Sequence, residues 1–196
     1  MMRPALAALL VLPVLACAPG GPSLPVQTAV LPAEASPGAG DPTRAAILSA
    51  AYVLNDRRAM SDPAVAARAA ANVEYLAVTL PGNPHFTAGA LTQLQFEAAR
   101  EEVRRTLGIA ADAPAQLVVD SLYAAARALS VQDRAGAAAA LAPRAFPDRE
   151  ATLARLSAMP ALPLSARAAA SAEELIRRQD IERSRQMDGG NDRPTI

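Results

Sequence analysis

Residues 63–80, PAVAARAAANVEYLAVTL, decide the fold class. Val65, Ala69, Val73, Leu76 and Leu80 recur at three- and four-residue spacing, the period that aligns side chains along one face of an α-helix. Asp62 stands immediately before Pro63, so a carboxylate acceptor precedes a residue whose fixed φ suits the first helical turn. Two polar residues interrupt the apolar pattern. Asn72 falls between Ala69 and Leu76 on the inner face, and Glu74 is ringed by Ala70, Ala71, Ala77 and Val78 on the small-residue side of the same helix.

The same period appears on both sides of this stretch. Ile47, Ala51 and Leu54 align within 43–58; Phe96, Val103 and Leu107 align within 88–107, with Leu91, Leu94 and Ala98 nearby; Val118, Leu122, Ala125 and Leu129 align within 114–129. Asp41-Pro42 repeats the start signal of Asp62-Pro63, while Asn83-Pro84 fits either a helix start or a turn. Thr87 is positioned to cap the helix after it, Gly108 to close that helix in a left-handed conformation, and Asp112 to cap the next one with Pro114 in its first turn. An Ala-rich helix then follows Asp133 and ends near Ala142, a break spans 144–147, and a short helix covers 148–158. Two prolines, Pro160 and Pro163, make 159–163 a connector. The last helix covers 165–186, where Glu173 and Glu174 can pair with Arg177 and Arg178. No stretch alternates with period two. The expectation is an all-α fold: one compact bundle of about six to seven helices over 41–187, no sheet, and a disordered tail over 188–196.

Composition narrows the function classes. Hydrophobic residues make up 52% of the 196, yet aromatics make up 3% and about a quarter of the chain is Ala. Lys and Arg together number 19 and so do Asp and Glu, so the chain lacks the basic excess that phosphate neutralisation demands and no nucleic-acid partner is expected. One Cys and one His exclude a disulfide framework and a Cys/His metal cage. No metalloprotease, EF-hand, P-loop, dinucleotide or serine-hydrolase motif occurs, so no catalytic residue, cofactor or metal is assigned.

Individual residues remain to be placed. Arg100 follows Phe96 by four residues and precedes Val103 by three, which sets a guanidinium on the core-facing stripe. A buried guanidinium needs a carboxylate, and Glu74 is the candidate partner; with Asn72 these residues form either an internal ion pair that fixes helix register or a polar ligand pocket. His85, in the loop 80–86, reads as a solvent-exposed loop residue. Tyr52, Tyr75 and Tyr123 read as packing residues with one polar tip each. Glu97, Glu101, Glu102, Arg104 and Arg105 form a mixed charge run that reads as a solvated face.

The amino-terminal 17 residues, MMRPALAALLVLPVLAC, place Arg3 before an apolar run from Ala5 to Ala16. Twelve helical residues span about 18 Å against a hydrocarbon core of about 30 Å, which makes the run a signal-peptide core and too short for a span. Val14-Leu15-Ala16-Cys17 resembles the lipobox of bacterial lipoprotein precursors. That resemblance implies lipid transfer to the Cys17 thiol, cleavage between Ala16 and Cys17, and a mature chain beginning at Cys17. It further implies, from Ala18 where an inner-membrane retention signal would place Asp, an anchor in the outer membrane with the domain on its periplasmic side. Residues 18–40 carry Pro and Gly every few positions and read as a tether, about 70 Å long when fully extended at ~3.1 Å per residue, the alternative being that its few apolar residues pack on the domain surface.

Two looser likenesses concern the mature part. Residues 122–129 followed by 133–143 resemble one helix pair of a tetratricopeptide-type repeat. The whole domain resembles Ala-rich helical lipoproteins of GC-rich bacteria, which implies architecture and no activity. The functional expectation is a membrane-anchored envelope lipoprotein with a non-catalytic binding or scaffolding role. The alternatives are a receptor or enzyme with a polar pocket between helices, and a subunit that meets an envelope protein partner through the helix 165–186.

Overall fold

A computed structural model describes residues 27–36, 40–83, 86 and 88–189. The fold is all-α. Among the described residues eight α-helices follow one another: α1 Pro42–Asn55, α2 Arg57–Met60, α3 Pro63–Thr79, α4 Ala90–Leu107, α5 Ala115–Ser130, α6 Arg134–Ala140, α7 Arg149–Ser157 and α8 Pro163–Gly189. The count exceeds six to seven because α2, a single turn, splits off from α1. Asp56 starts it by accepting from the amides of Arg58 and Ala59. Residues 188–189 continue α8, and the remainder of the expected tail lies outside the described residues.

Helix α3 is the axis of the bundle. It packs against α1, α2, α4, α5 and α7, and it is buried on nearly every face from Ala64 to Ala77. A helix so largely apolar around its circumference belongs in a core, and Ala on most of its faces lets neighbours approach toward the close end of the 8–10 Å interaxial range. The large core side chains include Leu76 of α3 itself and, from other elements, Ile47, Phe96, Leu107, Leu122, Phe146 and Ile176. The start signals act as expected at two places: Asp41 accepts from Thr43 N–H, and Asp62 from the amides of Ala64 and Val65.

Other local expectations are corrected. Asp112 does not cap α5; Pro114 precedes that helix and no side chain caps it. Leu91 and Leu94 are 70% and 61% exposed, because α4 turns Phe96, Ala99, Val103 and Leu107 inward instead. Tyr52 is 70% exposed on α1, whereas Tyr75 and Tyr123 are buried. Asn83 does not start the next helix, which begins at Ala90 after Gly89; its Oδ1 accepts from Phe86 N–H at 3.0 Å.

The segment read as a tether lies, over 27–36, along the bundle as an extended strap that ends in one 3₁₀ turn at Ala33–Ala35. Ala29 and Leu31 are buried while Val30 between them points to solvent, the alternation of an extended chain on an apolar surface. Gln116 of α5 grips the strap in both directions: its side-chain oxygen accepts from Val30 N–H at 2.7 Å and its amide donates to Val30 C=O at 3.0 Å. Arg127 of α5 pairs with Glu34 further on.

Helix α4 ends at Gly108, whose φ of 72° is left-handed, with Ile109 N–H donating to Arg104 C=O at 2.9 Å. The last carbonyl, that of Leu107, accepts from Thr152 Oγ1 at 2.9 Å and Arg155 Nη1 at 3.2 Å, both on α7. A Cβ at position 108 would stand 2.4 Å from Arg155 Nη1. Gly108→Ala therefore combines left-handed strain with loss of a helix-end donor, and a loss of about 1–2 kcal/mol is expected in urea unfolding.

Candidate functional site

Glu74 is fully buried, and α3 aims its carboxylate at α4. Two arginines one turn apart on α4 meet it. Arg100 Nε donates to Glu74 Oε1 at 2.8 Å; Arg104 donates through Nη2 to Oε1 at 2.5 Å and through Nε to Oε2 at 3.0 Å. Arg104 also donates to the carbonyls of Ala110 and Ala111 through Nη1 at 3.1 and 3.0 Å, and to that of Ala113 through Nη2 at 2.9 Å. Its five N–H donors are thus all engaged, which is the condition under which a guanidinium tolerates burial. Those three carbonyls form the turn between α4 and α5, so one side chain ties α3, α4 and the entry to α5 together.

Of the expected cluster, Glu74 and Arg100 come together and Asn72 does not. Two residues before Glu74 on the helix, Asn72 faces α5 and accepts from Tyr123 O–H at 2.6 Å. Burial pushes the Tyr123 hydroxyl up to about 12, so it remains a donor. Tyr75 shares a 3.1 Å hydrogen bond with Thr43 Oγ1, which also accepts from Asn83 Nδ2 at 2.8 Å. Both tyrosine tips therefore serve helix-to-helix bonds.

The charge run on α4 is not the uniformly solvated face expected. Arg104 is buried, and its spacing of four from Arg100 and eight from Phe96 is the signal that places it on the inner stripe. Glu102 caps α8 from a distance: its carboxylate accepts from Leu164 N–H at 3.1 Å and Ser165 N–H at 2.8 Å, and from Ser165 Oγ at 2.7 Å. A carboxylate at a helix start satisfies orphan amides and complements the helix dipole. Glu97, Glu101 and Arg105 do face outward, and with Arg100, Ile109 and Ala111 they line an open groove of about 600 Å³. Gln27 of the strap reaches the same region, its Oε1 accepting from Arg100 Nη2 at 2.6 Å.

Ala16, Cys17, His85 and Thr87 lie outside the described residues, and α4 begins after Gly89 with no side-chain cap. Among the described residues no group of three or more His, Cys, Asp or Glu side chains is placed to hold a metal ion, and no helix is long and apolar enough to cross a membrane. No family model, curated protein or solved structure matches the chain.

Proposed function

We propose that this chain is a lipid-anchored, all-helical protein of the bacterial envelope, held on the periplasmic face of the outer membrane, with a non-catalytic binding or scaffolding role toward an envelope protein partner. The observation that carries the proposal is the position of the single Cys. Cys17 follows a twelve-residue apolar run and the small Ala16, where a lipidated precursor is cut. One acyl chain anchors marginally and two or more anchor firmly, so lipid at this cysteine and at the new amino terminus suffices to hold the domain. The non-catalytic assignment is supported by the use made of the buried polar groups: Glu74, Arg104, Asn72 and Tyr123 bond to other parts of the bundle.

In the native host, intact mass of the purified protein is expected to show loss of residues 1–16 and gain of lipid. Cys17→Ala is expected to accumulate as an uncleaved or mis-sorted precursor. A mature protein recovered from the soluble fraction without lipid would overturn the proposal.

A further inference from the structure

Where the chain touches the bundle determines how far the bundle can stand from anything attached to Cys17. Between Cys17 and Gln27 there are ten peptide steps, which span at most about 36 Å at ~3.6 Å per residue. Between Cys17 and Asp41, where α1 is capped, there are twenty-four, which span at most about 86 Å. The contacts of residues 27–36 decide between the two lengths.

Those contacts have the character of a fastening. Leu31 and Ala29 are inserted in the core, Gln116 holds both the amide and the carbonyl of Val30, Arg100 holds Gln27, and Arg127 holds Glu34. The polar grips are single side chains of α4 and α5, the 3₁₀ turn rests on α1, and Ala29 and Leu31 are the strap's buried side chains, so the segment is fastened along its length by its own few contacts rather than by a helix–helix interface. The chain after the strap, Pro37-Gly38-Ala39-Gly40, carries two glycines before the cap of α1.

We propose that the strap is a reach-setting device: docked, it holds the domain within about 36 Å of its lipid, and released, it lets the same domain travel to about 86 Å. This rests on the lipid anchor proposed above. The consequence is two working distances from the membrane for one folded domain, without unfolding.

Two measurements on the full chain test it. Hydrogen exchange should find the Val30 amide protected, and Gln116→Ala should return it to the rate of an unstructured peptide while the amides of α3 remain protected. Val30 exchanging freely in the wild-type chain overturns the docked strap. Neutron reflectometry of the lipidated protein on a supported bilayer should place the near face of the protein layer no further than about 36 Å from the headgroups. For Leu31→Asp combined with Gln116→Ala, the protein density should shift outward and its far edge should lie further from the headgroups than in the wild type. Coincident profiles for the two proteins, with Val30 protected only in the wild type, overturn the reach claim. If intact mass finds no native lipid, the anchor proposal fails separately, and the same pair of profiles from chains coupled through the Cys17 thiol to a maleimide lipid decides the strap.

Discussion

Replacing Glu74 with Gln is expected to remove about 3–5 kcal/mol from the unfolding free energy, because it strands the Arg104 guanidinium in the bundle without its counter-charge. Against a typical domain stability of about 5–15 kcal/mol, that is enough to shift the urea midpoint severely. Arg100 suffers less, since its side chain is 22% exposed and reaches water and Gln27. The pair is not expected to be worth this amount in net stability. Burying two ions costs desolvation that their attraction only partly offsets, so Glu74→Leu combined with Arg104→Met should be less damaging than the sum of the two single changes by about 1–3 kcal/mol. The check is a double-mutant cycle in urea with circular dichroism. Additive losses would mean that the two side chains act independently, contrary to the bidentate geometry.

The second large effect concerns α8. Ending the chain before Pro163 removes Ala168, Ala169, Ala172 and Ile176 from the core and uncovers α1 and α4, the two helices α8 packs against. At about 0.8 kcal/mol per buried methyl-sized group and 1.5–3 kcal/mol for an isoleucine, the direct loss is about 4–5 kcal/mol before any cavity is counted. The cooperative thermal transition is expected to vanish. Ending the chain after Asp180 should leave it within a few degrees of the wild type, since residues 181–187 are exposed and, among the described residues, the last tertiary hydrogen bond is that of Asp180 with Arg44, whose guanidinium holds that carboxyl below its usual range. The early part of the helix 165–186 thus belongs to the domain, which confines the proposed partner strip to the turns after Asp180. A stable core from the shorter chain would refute this division.

The architecture was legible because it depends on period and punctuation. The apolar spacing in α1, α3 and α5, the Asp-Pro pairs at 41–42 and 62–63, and Gly108 each report local chemistry that survives in the fold. The Glu74–Arg100 contact was legible for a related reason: a charge on an apolar stripe requires an opposite charge on a neighbouring one. What remained hidden is long-range. Arg104 lay within a run of charges, and only the tertiary arrangement shows that three carbonyls of the following turn converge on it. Glu102 was hidden because its partners lie more than sixty residues away. The strap reads as a tether rather than as a segment packed on the domain because its Pro and Gly content outweighs the short apolar run Ala29-Val30-Leu31, whose buried and exposed members are told apart only by the surface they meet.

Glu102 also bears on the order in which the molecule is assembled. Most helices here carry their own start signal, an Asp one residue before the first turn, whose side chain accepts from first-turn amides without help from another helix. Helix α8 borrows its signal from α4, which leaves the ribosome well before it. As a free peptide, 163–189 would begin with Pro163 and unpaired amides at Leu164 and Ser165, so its first turn is stabilised only where α4 is already standing. Helix α8, made after α4, thus closes the bundle against a template laid down earlier.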